Sequence, residues 1–326
     1  MFTRREFIRA SATVTAGTMV SSSPLLAAIS DYSKINNIGL QVWSIAKFLE
    51  QDFTGNLQML SQIGYKELEL FGPYPFSTQK DKDAWKSTIS LLSFTQSGYF
   101  NHTPKEFKAI LESNGLSTPA MHVGLDTLRN KLSETAAAAH ILGQQYAGLA
   151  AIPEEERRTL DDYKRIADEF NVIGEKAKAL GIRFYYHNHG YGLKEIEGKI
   201  PFDLILERTD PSLVYLEMDI FWTTAGGADP IKYLDNNPGR YKLVHVKDMK
   251  QQVRFSGDGG SPKQWVELFP YITDAGNGVL DLKSIISHAK KSGVEHFIVE
   301  NDVITKPKES LEQGYRYLSS VELTER

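Results

Sequence analysis

The sequence is 326 residues long, with 41% hydrophobic and 24% charged residues and a formal net charge of −4, which is typical of a globular protein with a large core. It contains no cysteine, so disulfides, cysteine-ligated zinc and thiol nucleophiles are excluded, and any metal must be bound by His, Asp, Glu or solvent. The mildly acidic charge gives no electrostatic reason to bind a polyanion, so nucleic acid is not an expected partner.

The N-terminal segment, residues 1–28, has the pattern of a twin-arginine export signal. Arg4 and Arg5 are followed by Phe7, and a weakly apolar stretch rich in Ser, Thr and Ala runs to Ala28. The alternative is an ordinary basic N-terminus. Removal of this segment would take away three arginines and one glutamate and change the net charge from −4 to −6. We expect an exported, periplasmic protein, with no other segment apolar enough to span a bilayer.

From about Asn37 onward the chain repeats one unit, a short apolar strand followed by a polar loop and a helix. Strands are predicted at residues 38–43, 65–70, 116–123, 146–151, 183–189, 212–219, 241–248 and 295–300. Helices are predicted at residues 52–63, 126–142, 159–180, 202–208, 281–291 and 308–319, with further helices beginning at Thr103 and Asp229. The long connections 73–103 and 249–278 are typical of lids or binding loops.

This order of elements predicts an α/β protein with one domain, a closed (β/α)8 TIM barrel, because eight strands alternate with helices over this length. The alternative is an open doubly wound sheet. It is disfavoured because no glycine-rich phosphate-binding fingerprint follows the first strand.

Polar side chains stand at the ends of the last four predicted strands, and each of these strands ends in at least one metal-competent residue. The polar side chains are His187 and His189, Glu217 and Asp219, His245 with Lys247, and Glu300. Alternate residues of a strand share a face, and the active site of a (β/α)8 barrel lies at the C-terminal strand ends. Because imidazole and carboxylate ligands suit Mn, Co, Zn or Fe, the sequence predicts one divalent metal ion there. Any single one of these residues could instead cap the following loop.

Further side chains at strand ends could bind a substrate. Trp43, His122 and Trp222 could contact a sugar ring, although tryptophans in such positions also pack in the core. Glu69 ends the second strand and could hydrogen-bond a substrate. Lys247 could donate a proton or bind a sugar oxygen, and the alternative is that it neutralises a buried carboxylate.

These features resemble the xylose isomerase-like TIM barrel superfamily, also called sugar phosphate isomerase/epimerase, and especially a branch of exported bacterial members. The resemblance covers residues 37–320 and is strongest in Ile38–Gln41, Tyr186–Gly192, Glu217–Trp222, Ala225–Pro230, Gly239–Arg240, Leu243–Asp248 and Ile298–Asp302. It implies that one divalent ion is bound by His187, Asp219, His245 and Glu300.

One departure from the superfamily concerns His187, since the sugar epimerases usually have Glu at this position. Epimerisation by proton exchange needs a base on each face of the sugar, and here Glu300 is left as the metal-bound carboxylate base. We therefore expect chemistry with one base, namely isomerisation, dehydration or β-elimination of a keto sugar through an enediolate-like intermediate. The resemblance makes Glu300, His187 and Lys247 the expected catalytic residues and places His189 among the substrate-binding residues.

The expected function is a divalent-metal-dependent isomerase or epimerase acting on a sugar or polyol without phosphate, since export argues against a phosphorylated intracellular substrate. Three alternatives remain: a metal-dependent lyase or hydrolase of 3-keto-glycosides, a non-catalytic sugar-binding barrel, and a DNA repair enzyme of the endonuclease IV type. The acidic charge and the export signal oppose the last one. A small carbohydrate is the expected partner, and an oligomer is compatible with the sequence.

Overall fold

Eight parallel strands form a closed barrel in the computed structural model, which describes residues 34–89 and 92–323. The barrel strands are β1 (Ile38–Gln41), β2 (Glu67–Phe71), β3 (Ser117–His122), β4 (Tyr146–Leu149), β5 (Arg183–His187), β6 (Val214–Asp219), β7 (Tyr241–Val246) and β10 (His296–Val299). The last strand, β10, pairs with β1 and places Ile38 opposite Phe297, which closes the barrel. The predicted (β/α)8 barrel is confirmed, and the alternative of an open sheet is wrong.

Helices surround the barrel and connect its strands. In the described residues they are α1 (Ala46–Gln51), α2 (Phe53–Ile63), α3 (Gln79–Ile89), α4 (Pro104–Ser113), α5 (Leu125–Asn130), α6 (Leu132–Leu142), α7 (Leu160–Ala179), α8 (Pro201–Arg208), α9 (Ile220–Ala225), α10 (Pro230–Asn236), α11 (Pro262–Leu268), α12 (Leu282–Ser292) and α13 (Pro307–Ser320). None of them is both long and apolar enough to cross a membrane. The predicted export signal at residues 1–28 lies outside the described residues and stays a prediction.

Side-chain caps fix where several helices begin. The Thr103 hydroxyl accepts a hydrogen bond from the Glu106 amide, and the Glu106 carboxylate accepts one from the Thr103 amide. Thr159 and Asp162 form the same reciprocal capping box at the start of α7. Both starts were predicted from the sequence, because a hydroxyl residue followed three positions later by an acidic residue satisfies amides that the helix leaves unpaired.

The two long connections contain more regular structure than the sequence analysis predicted. Helix α3 lies within 73–103, and it buries none of its residues, so no apolar periodicity marked it. The connection 249–278 contains α11 and three of the four residues of a short antiparallel pair, β8 (Asp248–Met249) with β9 (Ile272–Thr273). The single helix predicted at 126–142 is two helices, α5 and α6, with Lys131 between them.

The barrel interior is closed at its N-terminal end by packed and hydrogen-bonded side chains. The Tyr146 hydroxyl donates to Glu295 at 2.8 Å and accepts a hydrogen bond from Arg183 at 2.6 Å. Above this layer Tyr185 is fully buried. Gly148 makes room for Tyr185, since a Cβ at position 148 would stand 2.4 Å from the Tyr185 ring. In the described residues this layer closes the N-terminal end of the barrel, which leaves the C-terminal strand ends as the side from which a ligand would enter.

Candidate metal centre

Ionisable side chains gather above Tyr185, where the barrel strands end. The buried members of this group are Glu69, His122, His187, Glu217, Asp219, His245, Lys247 and Glu300. Strand register places His187 opposite Glu217 across β5 and β6 and Asp219 opposite His245 across β6 and β7. The inward-facing alternate residues of parallel strands thus meet at one end of the barrel, as the pairs in the sequence predicted.

Glu217 lies at the centre of this group and contacts three histidines. Its Oε2 atom is 2.9 Å from His122 Nε2 and 3.0 Å from His187 Nδ1, and its Oε1 atom is 3.2 Å from His245 Nε2. Burial would raise the pKa of Glu217, but the three histidines outweigh burial and hold this pKa well below its ordinary value. The sequence analysis placed Glu217 with Asp219 among the side chains at the strand ends, but the ligand set implied by the resemblance did not include it.

Glu69 connects the histidines to the barrel wall. One oxygen accepts a hydrogen bond from the Tyr185 hydroxyl at 2.6 Å, and the other accepts one from Gln41 Nε2 at 2.8 Å. The second oxygen is also 2.5 Å from His245 Nε2. Sequence analysis assigned Glu69 to substrate binding, whereas in the structure both of its oxygens are engaged by protein side chains.

Lys247 sits among three carboxylates at the mouth of the barrel. Its Nζ atom is 2.9 Å from Asp219 Oδ2 and 2.9 Å from Asp302 Oδ2, and it forms a third ion pair with Glu300 Oε2. Burial raises the pKa of Asp219 to about 6, and the Lys247 ammonium opposes this shift. Asp302 follows β10 by three residues, and the sequence analysis did not assign it to the site.

Two overlapping groups of donor atoms are compact enough to bind a metal ion. One consists of His122, His187, Glu217 and His245, the other of Asp219, His245 and Glu300, and the atoms of each group lie within 4.8 Å of one another. The predicted ligand set spans both groups. His187 Nε2 is 4.0 Å from Asp219 Oδ2, and His245 Nδ1 is 3.8 Å from Asp219 Oδ2 and 3.0 Å from Glu300 Oε2.

The chemistry of His187 fits a metal ligand. Neither of its buried ring nitrogens forms a hydrogen bond within residues 34–89 and 92–323, although Nδ1 comes within 3.0 Å of Glu217. Burial and the neighbouring His245 lower the pKa of His187 to about 4, so its imidazole is neutral, which is the form that binds metals. A buried polar atom without a partner is costly, and a cation would supply the missing interaction. This buried His, Glu and Asp group could therefore bind a metal ion.

His189 and Trp222 also lie at the mouth. The Nδ1 atom of His189 donates to the Ala150 carbonyl at 2.8 Å, and its ring is 4.6 Å from the His187 ring. The Lys247 ammonium lies 5.5 Å from the ring of Trp222. Both residues are therefore adjacent to the candidate metal ligands.

The other two residues assigned to substrate binding have different surroundings. His122 is part of the histidine group around Glu217. Trp43 packs edge-on against Phe71 and Phe94, with ring centres 5.2 Å apart in both cases. This aromatic packing is the alternative that the sequence analysis left open for the tryptophans.

Comparisons with known proteins agree with this architecture. The family model described as xylose isomerase-like TIM barrel matches residues 57–321. An inosose dehydratase from Clostridium tetani is 26% identical over 256 residues, an alignment that covers 77% of this chain and 82% of that protein. The expectation that the chain is an enzyme is confirmed.

Solved structures share the fold. A sugar phosphate isomerase/epimerase from Parabacteroides distasonis is 24% identical, with a TM-score of 0.66, and the match covers 96% of this chain and 100% of that chain. The IOLI protein, whose structure contains a zinc atom, is 14% identical with a TM-score of 0.59 over 87% of this chain and 96% of that chain.

Proposed function

Because the chain belongs to the xylose isomerase-like TIM barrel family, we propose that it is a metal-dependent lyase that removes water from a ketone-bearing polyol, such as an inosose. The observation that carries the proposal is the Glu300–Lys247 ion pair at the barrel mouth, in a site where position 187 is an imidazole rather than a carboxylate. Epimerisation needs a base on each face of the substrate, whereas elimination needs one base and one acid. The name of the Clostridium tetani relative supports this choice over the isomerase expected first from the sequence.

The divalent metal ion would be held by His187, Asp219, His245 and Glu300, and it would polarise the substrate carbonyl. Glu300 takes the proton from the carbon next to the carbonyl, and the electron pair of that C–H bond forms the new double bond. The C–O bond at the following carbon breaks, and the departing hydroxide takes a proton from Lys247. The products are water and an unsaturated ketone, and proton return from Glu300 to Lys247 restores the pair.

Mass spectrometry of the reaction products tests this proposal. The protein is loaded separately with Mn, Co, Zn or Fe and incubated with an inosose, a 3-keto-glucoside or an aldose. Dehydration of the inosose lowers the substrate mass by one water, and elimination from the glycoside releases the aglycone. Isomerisation leaves the mass unchanged and is recognised by chromatographic separation of the aldose from its ketose. A Glu300→Gln variant should bind the same inosose and produce no dehydrated product.

The three substrates also separate the competing functions. Isomerisation of the aldose without loss of water from any ketone would replace the proposed lyase by the isomerase. The isomerase remains the second candidate because isomerisation through an enediolate also needs only one base. Release of the aglycone alone would make the 3-keto-glycoside the substrate. Turnover of none of them would refute all three functions.

We further propose that the enzyme is exported, on the basis of Arg4 and Arg5 in the N-terminal segment. Cell fractionation tests this: the wild-type chain should accumulate outside the cytoplasm, and replacement of both arginines by lysine should retain it inside. Equal distribution of the two proteins would refute export by this route.

A further inference from the structure

Two buried tyrosines carry hydroxyls that the protein itself does not use. Tyr74 and Tyr99 are only 1% and 2% exposed, and within the described parts of the chain neither hydroxyl has a hydrogen-bond partner. A buried hydroxyl without a partner destabilises the folded protein, and phenylalanine would fill the same space without this penalty. Packing alone therefore does not account for tyrosine at these two positions.

Both residues lie in the connection 73–103, which follows the C-terminal end of β2. Tyr74 follows the end of β2 by three residues, and its ring centre is 5.2 Å from that of Tyr99. Burial, Tyr99 and the Glu69 carboxylate all raise the pKa of Tyr74. Glu69 in turn accepts a hydrogen bond from Tyr185 inside the barrel. Because β2 is parallel to the other barrel strands, the connection that follows its C-terminal end lies at the same end of the barrel as the candidate metal centre.

Both rings are held in fixed positions. The Tyr74 amide donates to the Ser77 hydroxyl at 2.9 Å, and the Tyr74 ring stacks on Phe76 with an interplanar angle of 4°. The Tyr99 ring packs against Phe107 at 5.8 Å. Hydroxyls that are positioned before a ligand arrives lose little entropy when they bind it.

Unpartnered buried polar atoms concentrate in this part of the molecule. Besides the two tyrosine hydroxyls they include both ring nitrogens of His187, Nδ1 of His245 and Nε1 of Trp222, all in or beside the metal centre. The tyrosines also line a surface cleft of about 500 Å³ whose lining residues all belong to the connection 73–103. A polar ligand at the barrel mouth would satisfy groups that the fold leaves without partners.

We propose that Tyr74 and Tyr99 form a polyol subsite of the barrel mouth, in which their hydroxyls hydrogen-bond to hydroxyl groups of the substrate ring. This inference rests on the proposed function, since these two residues would bind the part of the proposed substrate that does not react. It gives the connection 73–103 a role in selecting polyhydroxylated rings over less substituted ketones.

Tyr74→Phe and Tyr99→Phe test the subsite, with Tyr65→Phe as the matched control. Tyr65 is equally buried, but its hydroxyl donates to the Leu311 carbonyl at 2.9 Å. Three properties are measured for each protein: the melting temperature without ligand, kcat/KM for an inosose, and kcat/KM for analogues of the inosose that each lack one ring hydroxyl.

We expect Tyr74→Phe and Tyr99→Phe to melt at or above the wild-type temperature and to lose about 2- to 13-fold in kcat/KM, the effect of one neutral hydrogen bond of about 0.5–1.5 kcal/mol. Each variant should also stop discriminating against one deoxy analogue that the wild-type enzyme rejects. Tyr65→Phe should melt lower and keep the discrimination of the wild type. Unchanged discrimination in both variants, or melting losses equal to that of Tyr65→Phe, would overturn the subsite.

Failure of the proposed function has a different signature. If the wild-type protein turns over no inosose, binding of myo-inositol and of the inosose is measured by calorimetry. Weaker polyol binding by both Phe variants than by Tyr65→Phe would support the subsite although the lyase reaction is wrong. No polyol binding by the wild type would overturn both.

Discussion

Replacement of Asp248 by asparagine should destabilise the whole barrel. The carboxylate is 1% exposed and accepts four backbone hydrogen bonds. Oδ1 accepts from Met249 at 2.7 Å and Leu280 at 3.2 Å, and Oδ2 accepts from Gly276 at 3.1 Å and Gly278 at 3.0 Å. Asparagine has only one oxygen, so its amide nitrogen would face two N–H donors.

The magnitude follows from the two hydrogen bonds that are lost. Hydrogen bonds to a charged group contribute about 1.5–3 kcal/mol each, and the two amides are left buried without partners. We therefore expect Asp248→Asn to lower the free energy of unfolding by about 3–5 kcal/mol, which is near the upper end for single substitutions. The loss of stability should affect the whole barrel, because these hydrogen bonds hold residues 276–280 against the end of β7.

Thermal and urea unfolding of the metal-free protein, followed by circular dichroism, measure this effect. The control is Asp229→Asn at the exposed start of α10, where both backbone hydrogen bonds go to the single atom Oδ1. Asparagine retains that oxygen and is an equally good residue at the start of a helix, so this variant should unfold like the wild type. Equal stability of the two variants would refute the assignment of Asp248 as an anchor.

Three further predictions concern other parts of the barrel. His245→Ala should abolish binding of the transition metal, which mass spectrometry should detect at about one ion per wild-type chain, and retention of the metal would exclude His245 as a ligand. Gly148→Ala should lower the free energy of unfolding by about 1–3 kcal/mol and reduce activity, because the new Cβ would displace the Tyr185 ring; unchanged melting would contradict this. Two hydrogen bonds from Arg129 lower the pKa of Glu156 from 4.5 to about 2, so this carboxylate stabilises the fold above about pH 5 and the contribution is lost as the pH falls toward 2. Glu156→Gln should therefore be less stable by about 1–2 kcal/mol at neutral pH, after allowance for partial exposure. Urea titrations should show that its free energy of unfolding depends less on pH between pH 5 and 2 than that of the wild type. An equal dependence on pH would contradict this role of Glu156.

The sequence predicted the barrel and the place of its site because both depend on local patterns. Strand and helix alternation identified the eight units, and two-residue spacing put Asp219, His245 and their neighbours on the inner face. The predicted ligand residues are adjacent in the structure, and whether they bind the metal stays a prediction.

Other parts of the site depend on contacts between distant segments, which spacing does not reveal. Glu217 lies on the same face as Asp219, but its contacts with His122 and His245 follow only from closure of the barrel. The unpaired hydroxyls of Tyr74 and Tyr99 cannot be distinguished by sequence from ordinary buried tyrosines, since the difference is a missing partner. Helix α3 escaped prediction for a local reason, the lack of a buried face.

The pairing of β1 with β10 also has a consequence during synthesis of the chain. The first strand finds its second neighbour only when Phe297 and the residues around it have been made, so an unclosed sheet with an unpaired edge precedes the finished molecule on the ribosome. The edge of β1 stays unpaired longest, so chaperones would have to cover it until β10 is made. Chains truncated before residue 296 should aggregate rather than fold. Transport by a pathway that accepts only folded proteins would then begin only after β10 has been synthesised.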